Sequence, residues 1–124
     1  MKKLNFLIVD DIFVNRLLLK EIVKDLCGEI KEASNGKEAI DIIEQGNVDI
    51  VLMDIEMPVM NGVETTKFIR KEMPFPKNML PIIALTAHNP DDFFDSYHSA
   101  GFNHLLTKPY SLNKVLDVIH TFCS

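Results

Sequence analysis

Two apolar runs in this chain end in acid: Leu7-Ile8-Val9-Asp10-Asp11 and Ile50-Val51-Leu52-Met53-Asp54. Strands this apolar are buried on both faces, as in a parallel sheet covered by helices on either side. Ligands of such sheets bind in the crevice beyond the strands' carboxyl ends. Asp10, Asp11 and Asp54 should therefore meet in one crevice, and the rest of the sequence must fit that arrangement.

Strand-like runs at Leu4–Val9, Glu29–Ala33, Val48–Met53, Pro81–Leu85 and His104–Leu106 alternate with segments of helical period, the pattern of an α/β sheet. Asn35 with Glu38 and Asn61 with Glu64 have the capping-box spacing, and Asn89-Pro90 puts a cap residue before a first-turn proline. These mark the starts of the second, third and fourth helices. The final helix follows Ser111 and carries Leu112, Val115, Leu116, Ile119 and Phe122 on one stripe. The first helix, from about Phe13 to Leu26, has more apolar residues than one packing stripe needs, so part of it is free to face a neighbour. The spacing thus predicts five strands and five helices. With 124 residues the chain forms one domain, 1–124, because the loop Glu72–Leu80 with Pro74 and Pro76 makes no boundary.

A net charge of −5 offers no basic patch for nucleic acid or an anionic membrane. No apolar run is long enough to span a bilayer, and Met1-Lys2-Lys3 fails as a signal peptide because Asn5, Asp10 and Asp11 interrupt the apolar stretch after it. Cys27 and Cys123 lack metal-ligand spacing and read as free thiols, which points to a reducing cytoplasm. No GxxxxGK or GxGxxG element is present, which argues against a nucleotide-binding α/β protein.

Like charges 4 Å apart repel by about 4 kcal/mol at an effective dielectric near 20, so three clustered carboxylates need compensation. Lys108 supplies one positive charge, and an all-oxygen site suits a hard divalent cation such as Mg²⁺. Thr86 ends the fourth apolar run and Lys108 follows the fifth, so a hydroxyl and an ammonium reach the same crevice. Together these groups form a receptor for the oxygens of a transferring phosphoryl group. Asp54 is the candidate nucleophile, since it stands alone at a strand end while Asp10 and Asp11 form a pair suited to the cation. A lone strand-end aspartate commonly just caps the next helix, and a lone lysine is commonly solvated. The ordered set of five is what outweighs those readings.

These residues resemble the receiver domain of two-component response regulators, with its flavodoxin-like, doubly wound five-stranded parallel sheet in order 2-1-3-4-5. The matching pieces are Val9-Asp10-Asp11, the run Met53 through Gly62, Ala84-Leu85-Thr86-Ala87 and Leu106-Thr107-Lys108-Pro109, in the family's order. The resemblance implies that Asp54 accepts a phosphoryl group from a histidine kinase or phosphotransfer protein, and that the domain then switches contacts with a downstream protein target. It implies Mg²⁺ held by Asp11, Asp54 and the Glu56 backbone carbonyl, with Asp10 acting mainly through water. Thr86 and Lys108 would contact the phosphoryl oxygens, and the Lys108-Pro109 peptide would be cis. The chemistry is self-phosphorylation and autodephosphorylation rather than turnover of a substrate.

Glu56 and His88 occupy the positions two residues beyond Asp54 and Thr86, where family members tune the phosphate lifetime. The chain departs from the family at Leu105, where many members carry an aromatic ring that swings inward. Output is therefore expected through the Thr86–Pro90 loop and the fourth helix. Other readings stay open: a phosphorylation-independent binding module, a metal-dependent phosphatase or phosphotransferase, a stand-alone regulator favoured by the positions of Met1 and the last helix, or a segment of a hybrid kinase, which Asn15-Arg16 after the acidic pair resembles. A phosphorylation-promoted homodimer is left open too.

Overall fold

A computed structural model describes residues 3–87, 98–109 and 111–123. Strands β1 (Leu4–Val9), β2 (Cys27–Ala33), β3 (Ile50–Asp54), β4 (Ile82–Thr86) and β5 (His104–Thr107) form one sheet, all neighbours parallel, in the order β2-β1-β3-β4-β5. Helices α1 (Phe13–Val23), α2 (Gly36–Gln45), α3 (Gly62–Glu72) and α4 (Leu112–Cys123) are the four α-helices among the described residues. The expected helix after Asn89-Pro90 lies outside them, as does His88, so the count of five helices is not matched within the described part.

Side-chain alternation explains the three layers. Leu7, Val9, Val51, Met53, Ile82 and Ala84 point to one face, where they pack with Ala39, Ile40 and Ile43 of α2 and Ile69 of α3. Phe6, Ile8, Ile50, Leu52, Ile83 and Leu85 point to the other, against Leu19 and Val23 of α1 and Val115, Val118 and Ile119 of α4. A β-strand turns successive side chains to opposite faces, so strands apolar at every position require helices on both sides. In α4 the expected stripe shifts: Val118 joins it, and Leu112, at the helix's first position, is exposed.

The strands run a residue or two differently from the expectation at some ends, and β2 starts at Cys27 rather than Glu29. Both asparagine caps form, the Asn35 side chain accepting from Glu38 N–H and that of Asn61 from Glu64 N–H. Only the second closes as a full box, with Glu64 accepting from Asn61 N–H; Glu38 reaches one residue further back and takes the N–H and hydroxyl of Ser34 instead. Helix α1 has no side-chain cap and carries no acidic residue in its first turn. It buries only Leu19 and Val23 fully, and Phe13, Val14, Leu17 and Leu18 are exposed along with Ile12 before them. Among the described residues no helix is long and apolar enough to cross a membrane.

Candidate functional site

Register sets the site. Val9 pairs with Met53, so the next residues, Asp10 and Asp54, stand side by side at the carboxyl edge of the sheet. Asp54 pairs with Leu85 and Thr86 with Thr107, which brings Thr86 and Lys108 one step further along the same edge. The Lys108 N–H donates to the Thr86 carbonyl at 2.7 Å, tying the last two strand ends together. Asp11, Ile12, Asp54, Glu56, Thr86, Ala87 and Lys108 line the resulting cleft of about 190 Å³. The five residues singled out by the sequence converge there, with Asp10 buried beneath.

The carboxylates of Asp10, Asp11 and Asp54 offer oxygens that all lie within 4.8 Å of one another. Asp10 is fully buried and Asp54 nearly so, whereas Asp11 is exposed. Lys108 Nζ lies 3.3 Å from Asp54 Oδ1 and 3.7 Å from Asp10 Oδ2. One ammonium thus faces two buried carboxylates. Burial pushes the Asp54 carboxyl up to about 6 and the neighbouring Asp10 charge adds to it, against the pull of Lys108 and of a hydrogen bond from the Glu56 backbone N–H. Asp10 Oδ1 accepts from the Ile12 N–H at 2.9 Å, but Oδ2 is buried with no hydrogen-bond partner. A buried, unbonded carboxylate oxygen in an oxygen-only cluster fits a hard divalent cation of the Mg²⁺ type.

The surrounding residues divide. Glu56 is exposed at the mouth of the cleft and Pro109 follows a cis Lys108–Pro109 peptide, as expected. Leu105 is buried and packs in the α2/α3-side core rather than at the surface, and His104 and His120 are exposed. Gly62 lies where a Cβ would overlap the Asp54 carbonyl oxygen, and its N–H donates to the Ile55 carbonyl, so the β3–α3 loop folds tightly back under the site. Two features lacked a sequence signal. The Ile12 backbone holds Asp10 through an N–H that any residue could supply, and Val59 sits at φ 70°, with the Met60 N–H donating to the Pro58 carbonyl across it.

A doubly wound parallel sheet with a carboxylate trio, a strand-end hydroxyl and an ammonium gathered at its carboxyl edge defines a flavodoxin-like domain with an acidic cleft. The chain belongs to the response regulator receiver domain family, whose sequence model matches residues 6–120. It is 35% identical to two-component response regulator 24 of Arabidopsis thaliana over 119 residues, which cover 95% of this chain and 83% of that protein. It is 32% identical to the aerobic respiration control sensor protein ArcB of Escherichia coli K12, where the match covers 96% of this chain and only 15% of the sensor. The receiver domain of the Pseudomonas aeruginosa sensor histidine kinase PA1611, solved with magnesium coordinated in its active-site cleft, superposes with a TM-score of 0.86 at 27% identity and 97% coverage of each chain. The receiver domain of Saccharomyces cerevisiae Ssk1, crystallised with the histidine phosphotransfer protein Ypd1, gives 0.86 at 31% identity, covering 98% of this chain and 89% of that one.

Proposed function

We propose that Asp54 is the phosphoacceptor of this receiver domain, with residues 1–124 working as one unit. A carboxylate oxygen of Asp54 would attack the phosphorus of a phosphohistidine; the new O–P bond forms as the P–N bond breaks, and the donor imidazole leaves with the bonding electron pair. The observation that carries this reading is the shortage of positive charge in the cleft. Among the described residues Asp10 and Asp54 are buried beside a single ammonium, and Asp10 Oδ2 accepts no hydrogen bond.

Asp10, Asp11, Asp54 and the Glu56 carbonyl would hold Mg²⁺, in line with the magnesium in the PA1611 receiver. When bound, the cation offsets negative charge on the acceptor and on the incoming phosphoryl oxygens. Lys108 already touches Asp54 Oδ1 and would follow the phosphoryl oxygens outward. Thr86, at the end of β4 and lining the same cleft, supplies a hydroxyl beside them. Glu56 and His88 are proposed to set how fast water removes the phosphate. Phosphorylation changes the local charge by only about one unit, so the switch is chiefly positional, with Thr86 and Lys108 drawn toward new oxygens. Leu105, buried in the core, gives no aromatic ring to swing, and we assign the output to movement at the end of β4. The free Cys27 thiol supports a reducing, cytoplasmic setting.

The donor is proposed to be a phosphotransfer protein or histidine kinase, as Ypd1 pairs with the Ssk1 receiver. It must cover the rim of the cleft, and Asn15 and Leu18 of α1 share a second cavity there with Lys108 and Pro109. The exposed Phe13, Val14, Leu17 and Leu18 extend that rim in apolar surface. The test is transfer of radiolabelled phosphoryl from a phosphohistidine-bearing phosphotransfer domain. Wild type should gain label that hydroxylamine releases, Asp54→Asn should gain none, and Leu17→Ser should slow transfer from the protein donor about tenfold while leaving acceptance from acetyl phosphate unchanged. Labelling of Asp54→Asn equal to wild type would sink the assignment.

A further inference from the structure

Behind the acidic cleft, on the far side of the Asp10 peptide, sits a charged network that phosphoryl chemistry does not itself require. Arg16 Nη1 donates to the Asp10 carbonyl oxygen at 2.6 Å, and Arg16 Nε donates to Glu32 Oε1 at 3.0 Å. Lys20 Nζ takes the other Glu32 oxygen at 3.1 Å. The Arg16 guanidinium lies 5.6 Å from the ring centre of Phe13, within cation–π range. Glu32 belongs to β2 and pairs in register with Ile8 of β1, so the guanidinium is braced against the sheet. Its side chain is only 15% exposed.

Asp10 is consequently fixed at every polar atom but one. Its N–H donates to the Ala33 carbonyl at 3.1 Å, its C=O accepts from Arg16, and Oδ1 accepts from the Ile12 N–H. Oδ2 alone is unbonded, and it is buried in the cluster of oxygens at the cleft. We propose that Arg16 is a positioning residue for the cation site: by clamping the Asp10 carbonyl it fixes the direction in which Oδ2 is presented, and Glu32 and Phe13 hold the clamp. The inference rests on the cation site proposed above. Groups that orient ligands from behind typically change metal affinity by about 10–100-fold when removed. Lysine cannot substitute, because one ammonium lacks the fork that spans the Asp10 carbonyl and the Glu32 carboxylate together.

The alternative is that Arg16 merely ties α1 to β2. Calorimetric titration of the unphosphorylated full chain with Mg²⁺, paired with urea unfolding in chelator, separates the two. Arg16→Ala and Arg16→Lys should each raise the Mg²⁺ Kd about tenfold while far-ultraviolet circular dichroism stays native. Glu32→Gln keeps an oxygen for Arg16 Nε and should raise it less, and it serves as the folded variant if Arg16→Ala does not fold. A Kd within twofold of wild type in the folded Arg16 variants, with only the urea midpoint lowered, would overturn the proposal. Wild type that binds no Mg²⁺ would overturn the cation site itself and this inference with it.

Discussion

At the amino edge of the sheet the half-buried guanidinium of Arg70 donates to the carbonyls of Gly101, Asn78 and Leu80 and to Asn103 Oδ1, all between 2.8 and 3.0 Å. At the carboxyl edge the buried Asp10 and Asp54 share one lysine, and Asp10 Oδ2 has no hydrogen bond. Burial draws the Arg70 pKa down from its usual value, but four oxygens meet its donors. Gly101, at φ 109°, leaves the room its side chain fills. Asn103 Oδ1 completes the hub by also accepting the Ile82 N–H, so one guanidinium joins α3 to the starts of β4 and β5. Buried charge that serves only the fold is satisfied within the fold. The buried charge left wanting lies at the cleft where the cation is proposed to bind.

The largest expected effect belongs to the satisfied pole. Arg70→Met strands several carbonyl groups and should cost about 3 kcal/mol of stability by urea unfolding, with the Mg²⁺ affinity of the folded fraction unchanged. An Arg70 variant that lost Mg²⁺ binding while still folded would break the division between the poles.

The unsatisfied pole should instead act through pH. In chelator the folded Asp54 carboxyl holds its proton up to about 6, against a reference value of 3.8. Between those values the unfolded chain has released a proton that the folded chain keeps, so this group's contribution to stability falls as pH rises through the window and is flat above it. With about 1.4 kcal/mol per unit, and allowing for relaxation and water entry, the fall is about 2 kcal/mol. Asp54→Asn should therefore be more stable than wild type at pH 7 without metal, and the wild-type-minus-variant difference should vanish near pH 4. A difference independent of pH would contradict the cost assigned to burying this carboxylate beside Asp10.

Backbone strain divides the same way, on a smaller scale. Asn47, in the turn before β3, has φ 65°, a conformation asparagine accepts readily. Val59, exposed in the loop between β3 and α3, has φ 70° under a hydrogen bond spanning two residues, a tight turn that costs a β-branched residue more. Val59→Gly should raise the stability by about 1 kcal/mol, and Asn47→Gly should change it by only a few tenths. Equal effects at the two positions in thermal unfolding would erase this contrast.

The cleft was legible in the sequence because it derives from where apolar runs stop, with Asp10, Asp54, Thr86 and Lys108 each at the end of a run, whereas the sheet order followed only from the resemblance to receiver domains. Asn35 and Asn61 announced two helix starts through side-chain chemistry that acts over three residues. The features that were not legible depend on long-range geometry. Arg70 meets partners up to 33 residues away, and Arg16 on α1 meets Glu32 on β2, 16 residues on, so no local spacing records either. Glu38 defeated its capping-box reading because Ser34 offered two donors in place of one backbone N–H. The apolar excess of α1 was visible, and the structure leaves much of it at the surface.

The most direct test of the unsatisfied carboxyl-edge pole is intact mass after incubation with acetyl phosphate, with Mg²⁺ or with chelator, for wild type and Asp54→Asn. Wild type should gain one phosphoryl group, only with Mg²⁺, and Asp54→Asn should gain none. A gain that persists in chelator, or that survives the loss of Asp54, would contradict the reading of this cleft.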